Sequence, residues 1–199
     1  MSDEKKKTEQ AQTDYSEDER YDRRGAVIKA LLKWLECEFF GLFIFLSLLA
    51  LTLVLKKAGY AIFGGLGLLT YAMVLTDFGL KEGSKARIKN DVRGDNVSRS
   101  FGLLLGLVAM LPAAATYIML LMSYFGIIGS AVLPFKALNF GLWGLISLFV
   151  KDMDIANMSV HLLWVYPLTL LVYPLAVHYG FRSGFDSEDI RTKIMYKTK

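Results

Sequence analysis

The chain has 199 residues, 54% of them hydrophobic, with a mean hydropathy of +0.38, a net charge of +4 and a pI near 9.0. Its apolar residues fall in unbroken blocks rather than amphipathic stripes, which excludes a soluble helical bundle. Its basic residues sit in separate flanks, which excludes a nucleic-acid surface, and its one cysteine, Cys37, excludes an internal disulfide.

Residues 1–24 carry no aliphatic side chain larger than alanine after Met1, so they are expected to be a disordered cytoplasmic tail. No apolar core or cleavage pattern of a signal peptide follows them. Residues 25–38 form an amphipathic pattern, with Val27, Leu31, Trp34 and Leu35 on one side and Lys29, Lys33 and Glu36 mostly on the other. An interfacial helix running into the first membrane span is expected there. That span is predicted at 39–55, and a second at 60–78. The intervening "KKAG" is short enough to force an antiparallel hairpin.

Residues 77–100 hold ten charges and read as a solvated loop, with Asp95, Asn96 and Ser98 as candidate N-caps for the helix that follows. The "RGD" at 93–95 is a chance match on the cytoplasmic side. A third span is predicted at 101–125, with Pro112 inside it. A fourth is predicted at 160–181, with Pro167 and Pro174 inside it. Residues 182–199 are expected to be a basic cytoplasmic tail with a short helix capped by Asp186 or Ser187.

Residues 135–150, "FKALNFGLWGLISLFV", are apolar but reach only about 24 Å as a helix, against a hydrocarbon layer of about 30 Å. Lys136, Asn139, Ser147 and Lys151 recur near one face, which predicts a re-entrant or interfacial helix. Charge asymmetry agrees. With four spans and a cytoplasmic N-terminus, 19 Lys and Arg residues lie inside and 4 outside; a fifth span at 135–150 would make it 15 and 8. The expected fold is therefore all-α: an integral membrane bundle of four transmembrane helices plus one re-entrant or interfacial helix, spanning 25–181, with both termini cytoplasmic in the cell membrane.

Candidate functional residues concentrate in the fourth span, where Val-Tyr-Pro-Leu recurs at 165–168 and 172–175. Tyr166 and Tyr173 share a face, as do Pro167 and Pro174. Each proline removes a backbone bond and frees a carbonyl, at Leu163 and Leu170. The pattern serves either a bent, packed helix or a pocket or path lined by Tyr166, Tyr173, Asn139 and Thr169. Small residues at Gly102 and Gly106, and at Ala61 and Gly65, are candidate helix-packing faces, within the chain or between chains. No charged side chain falls between the membrane interfaces of spans one to three, Asp77 standing at the very end of the second. Glu36 and Glu38, at the inner mouth of span one, are expected to pair with nearby bases. His161 and His178 stand about 25 Å apart along a helix and cannot share a metal. No catalytic motif, cofactor signature or metal cluster is present.

The run from "DFGLKEGSKARI" through "LPAAATYIMLL" to "YGFRSGFDSEDIRTKIMYKTK" resembles small multipass membrane proteins of Gram-positive bacteria that have no assigned activity. The resemblance implies a bacterial inner-membrane location and transfers no functional residue. The expected function is a non-enzymatic subunit or scaffold, partnered by the bilayer and by itself or another membrane protein. The alternative is a small channel or transporter built around the kinked fourth helix. Absence of buried charge argues against a coupled transporter.

Overall fold

In a computed structural model, residues 20–150 and 155–186 are described, and among them every regular element is helical. Helix α1 is Arg23–Leu55, α2 is Lys57–Arg93 and α3 is Phe101–Tyr124. Two short helices follow, α4 at Val132–Ala137 and α5 at Trp143–Phe149, joined through a 3-10 turn at Phe140–Leu142. A second 3-10 turn, Ile155–Asn157, leads to α6 (Leu162–Leu170) and α7 (Val172–Asp186).

Three helical stretches are long and apolar enough to cross a membrane: Lys57–Arg93, Phe101–Tyr124 and Leu162–Asp186. That fits a multi-pass membrane protein. The surface agrees, because large apolar side chains point outward all round: Leu53, Val54, Met73, Trp164 and Leu168 are each at least 66% exposed.

Helix α1 does not divide into an interfacial piece and a span. It is one continuous helix, N-capped by Asp22, whose side chain accepts from the Gly25 N–H at 2.8 Å. Its inward stripe is made of small residues, Ala26, Ala30, Cys37 and Gly41. Leu31 and Leu35 face outward instead, at 43% and 53% exposure. The hairpin to α2 turns on Lys56 alone, at φ 49°, so a narrower turn than the four residues expected is enough.

Helix α2 is the hub. Buried positions recur along it from Gly59 through Phe63, Tyr71, Leu75 and Phe78 to Ala86. The reading of 77–100 as a loop is corrected: the helix runs on to Arg93, and only 94–100 is irregular. The charges in this stretch pair along the helix. Lys81 meets Asp77 at 2.6 Å, Lys85 meets Glu82 at 2.8 Å and Arg87 meets Asp91 at 3.4 Å. Gly94, left-handed at φ 69°, ends it.

Asp95 caps no helix. It accepts the Tyr21 N–H at 2.6 Å, while Arg23 donates to the Asn96 carbonyl at 2.9 Å. Asn96 and Ser98 cap none either: Ser100 holds the N-cap position of α3, without a side-chain cap bond. Residues 20–24 are thus not part of a disordered tail. Tyr21 is buried at 8% exposure, and residues 1–19 lie outside the described region.

The fourth predicted span is two helices, interrupted at Leu171. Pro174 falls in the first turn of α7, where no intrahelical N–H is needed. At the other end α7 continues past Tyr179 to Asp186, so Asp186 is itself a helical residue at the edge of the described region. The predicted helix beyond it, including Ser187, lies outside the described residues.

Candidate functional site

Residues 132–150 form a helical hairpin folded into the bundle, in place of the single helix expected over 135–150. The chain descends along α3, turns at Leu138–Leu142 and climbs along α2. The contacts that fix its path are glycine contacts. A Cβ on Gly67 would lie 1.7 Å from the Gly141 carbonyl oxygen, and one on Gly41 would lie 2.3 Å from the Gly141 backbone. Higher up, Gly144 meets Gly64 and the Tyr60 carbonyl. Both arms therefore open toward the Lys56 end of the bundle. The tip reaches about 15 Å along α2 from Lys57 at ~1.5 Å per residue. Of the expected polar face, Lys136 and Asn139 turn inward at 2% and 0% exposure and Ser147 is half-buried, while Lys151 lies outside the described residues. Irregular backbone at such depth needs internal partners, and Lys136, Asn139 and their neighbours supply them.

At the tip stands Glu38 of α1, partly buried. It does not pair with a base. Its carboxylate accepts the Tyr71 hydroxyl of α2 and the Gly141 N–H, the latter at 3.4 Å. Glu36, two residues earlier and on the exposed side, takes the expected base, Lys33. Tyr71 also meets Tyr173 of α7 edge to face, with ring centroids 5.8 Å apart. The Tyr173 hydroxyl is buried against that Tyr71 side chain. Tyr173 lies two residues past the interruption at Leu171. The hairpin turn and the break between α6 and α7 thus flank a single carboxylate. Cys37 is buried beside it on α1.

A second polar group sits on the α3 side of the hairpin. Asn139 donates to Thr116 at 3.0 Å and to the Phe135 carbonyl at 2.8 Å, and accepts the Tyr166 hydroxyl at 2.6 Å. Tyr117 donates to the Leu163 carbonyl at 2.7 Å. That carbonyl is the one Pro167 frees, so the α3 tyrosine replaces the missing backbone donor. Thr169 donates back to the Tyr166 carbonyl at 2.7 Å.

The residues singled out in the sequence therefore separate. Tyr166 and Tyr173 are both fully buried, but they belong to different clusters, one around Asn139 and one around Glu38. Gly102 packs on Phe181 and Gly106 on Pro174 and the Tyr173 carbonyl, so this pair seats α3 on α7. Ala61 and Gly65 point out of the bundle, and a Cβ on Gly65 would meet nothing within 4 Å. Two further glycine pairs were missed. Gly79 and Gly83 of α2 face Val177 and Phe181, while Gly180 and Gly184 of α7 face Thr76 and Leu80, each against a carbonyl at 2.1–2.3 Å from an added Cβ. The GxxxG spacing is readable, but Gly79 and Gly83 lie in the stretch expected to be a loop, and Gly180 and Gly184 straddle the expected end of the fourth span.

Opposite the hairpin's open end, Tyr21 donates to Glu82 at 3.2 Å and packs edge to face on Phe101. Burial, then the Glu82 carboxylate, pushes the Tyr21 phenol above its usual value, so it stays a neutral donor. His161 is exposed, and the buried His178 Nδ1 meets no hydrogen-bond partner among the described residues. Among the described residues no group of three or more His, Cys, Asp or Glu could hold a metal ion.

No protein-family model matches the chain, and neither a curated protein nor a solved structure matches it.

Proposed function

We propose that this chain is a small membrane transporter or channel, crossing the cell membrane four times with both ends cytoplasmic, in which Glu38 binds the cation or proton that moves. The fourth crossing would be the C-terminal half of α1, whose Phe39, Phe43, Leu46, Leu53 and Val54 face outward. What supports the reading is one arrangement. One irregular turn, the hairpin tip, and the proline-bearing joint between α6 and α7 come together around a carboxylate and two tyrosines inside the bundle. Interrupted helices around a mid-membrane site are how small transporters expose backbone and charge to an ion. A carboxyl group held inside a bilayer is costly and marks an ion or proton route. The argument from missing buried charge loses its ground, because Glu38 lies just outside the first predicted span yet meets Tyr71, deep in the second.

The test is flux into vesicles. Purified protein in liposomes loaded with a pH-sensitive dye should collapse an imposed proton gradient when sodium or potassium is added. Glu38→Gln should slow that by about tenfold or more while eluting like wild type. Wild-type vesicles no faster than protein-free ones would overturn the proposal.

The scaffold reading keeps one observation in its favour, the unpartnered Ala61–Gly65 face of α2. Under it, Gly65→Leu would release a co-purifying membrane protein without altering the fold of this chain.

A further inference from the structure

At the open end of the hairpin lies a cavity of about 340 Å³, lined by Lys56, Lys57, Tyr60, Lys136, Trp143, Ser147 and Leu148. Its described lining holds three lysines, two hydroxyls and an indole, and no acid. Lys56 and Lys57 are neighbours at the α1–α2 turn, and the fold brings Lys136 of α4 to them. Lys136 is positioned rather than loose: its ammonium donates to the Val150 carbonyl at 3.0 Å and lies 5.6 Å from the centre of the Trp143 ring. That indole is fixed in turn, stacked on Phe140 at 5.3 Å and packed on Phe45 at 5.4 Å.

Helix α2 starts at this cavity, and its N-cap residue, Lys56, makes no side-chain capping bond. The first N–H groups of a helix have no intrahelical partner and carry the positive end of its dipole. Ammonium groups, those N–H groups and two hydroxyls in one concavity make an anion site, and a phosphate ester is the group whose oxygens use all of them. The rim identifies the carrier. Leu148 on the lining and Leu55, next in the chain to Lys56, are 37% and 42% exposed, an apolar shoulder that a free ion would not use. Trp143 and Tyr60 are the residue types that sit at the headgroup level of a bilayer.

We propose that this cavity binds the phosphate of an anionic phospholipid headgroup, with the acyl chains lying along the exposed shoulder of α1 and α5. The site is independent of ion movement through Glu38. It should hold lipid whether or not the chain transports anything.

Native mass spectrometry of the full chain in mild detergent tests it, with phosphatidylglycerol, phosphatidylcholine and inorganic phosphate as probes. Phosphatidylglycerol should bind at concentrations where phosphatidylcholine does not. The double variant Lys56→Gln/Lys57→Gln should weaken that by about tenfold, a loss typical of removing charge-assisted contacts. Lys81→Gln, which removes an exposed lysine paired with Asp77 on the far part of α2, should bind like wild type. Excess inorganic phosphate should displace little of the lipid. Equal binding of the two lipids, or a double variant matching Lys81→Gln, would overturn the site. Full displacement by inorganic phosphate would overturn the lipid as its occupant. Because the turn lysines are exposed, an unchanged elution profile serves as the folding control for both variants.

Discussion

Substituting Gly67 by alanine separates packing from helix propensity. A Cβ at 67 would stand 1.7 Å from the Gly141 oxygen, and an ordinary contact needs 3.4 Å, so the hairpin tip must retreat by the difference, about 1.7 Å. The obstacle is backbone, with no side chain to swing aside. The Gly141 N–H to Glu38 bond is already 3.4 Å long, and that retreat removes it. Overpacking costs about 1–3 kcal/mol, and a buried carboxylate losing a donor costs about 1–3 more. Alanine returns about 1 kcal/mol through its helix propensity, leaving a net loss of about 1–5 kcal/mol. At about 3 °C per kcal/mol for a chain of this size, the melting point in detergent should fall by roughly 3–15 °C. Gly65→Ala is the control two residues away, where the added methyl meets nothing within 4 Å; it should leave the melting point unchanged or raise it slightly. Intrinsic tryptophan fluorescence during a thermal ramp reads both variants. A Gly67→Ala protein as stable as Gly65→Ala would refute the seating of the hairpin on α2.

Tyr117→Phe should cost about 1–2 kcal/mol by leaving the Leu163 carbonyl unpaired, and much less beside Pro167→Ala, which restores a backbone N–H for it; denaturation midpoints of the four proteins in this cycle give the coupling. Gly83→Val should lose about 3 kcal/mol or more, read as lower folded yield and earlier unfolding in SDS, because its side chain would meet the Phe181 carbonyl at 2.1 Å. Gly129→Val, with open space around it, should behave as wild type in the same assay. Protease-cleavable tags before Met1 and after Lys199 should resist external protease on intact cells, while a site inserted at Gly126–Ser130, an exposed connection, should be cut; a C-terminal tag cut from outside refutes the even number of crossings.

Much of this fold is readable along the chain because apolar length and helix periodicity are local properties. Helix α3 was predicted at 101–125 and runs from Phe101 to Tyr124. The freed carbonyl of Leu163 follows from Pro167 alone, although its tyrosine partner does not. Charge misled the reading of 77–93, where polarity was taken for irregularity. Lysine, glutamate, arginine and alanine are good helix formers, and their spacing at i and i+3 or i+4 supports a helix in water as well as apolar residues do in lipid. Glu38 was hidden for another reason. Its two donors come from residues 33 and 103 positions away, and nothing local announces that 138–142 folds back to meet it. The outward turn of Ala61 and Gly65 was equally invisible, since a small-residue pair reads the same whichever way its helix is rotated.

The position of Cys37 gives this protein a native reporter. Its side chain is fully enclosed where α1 faces the bundle, next to Glu38, and it is the one thiol in the chain. A maleimide can reach it only when α1 swings away from its neighbours. The rate of alkylation of the unmodified protein would therefore count how often the core opens, and any ion or lipid that holds the helices together would register as protection of that sulfur.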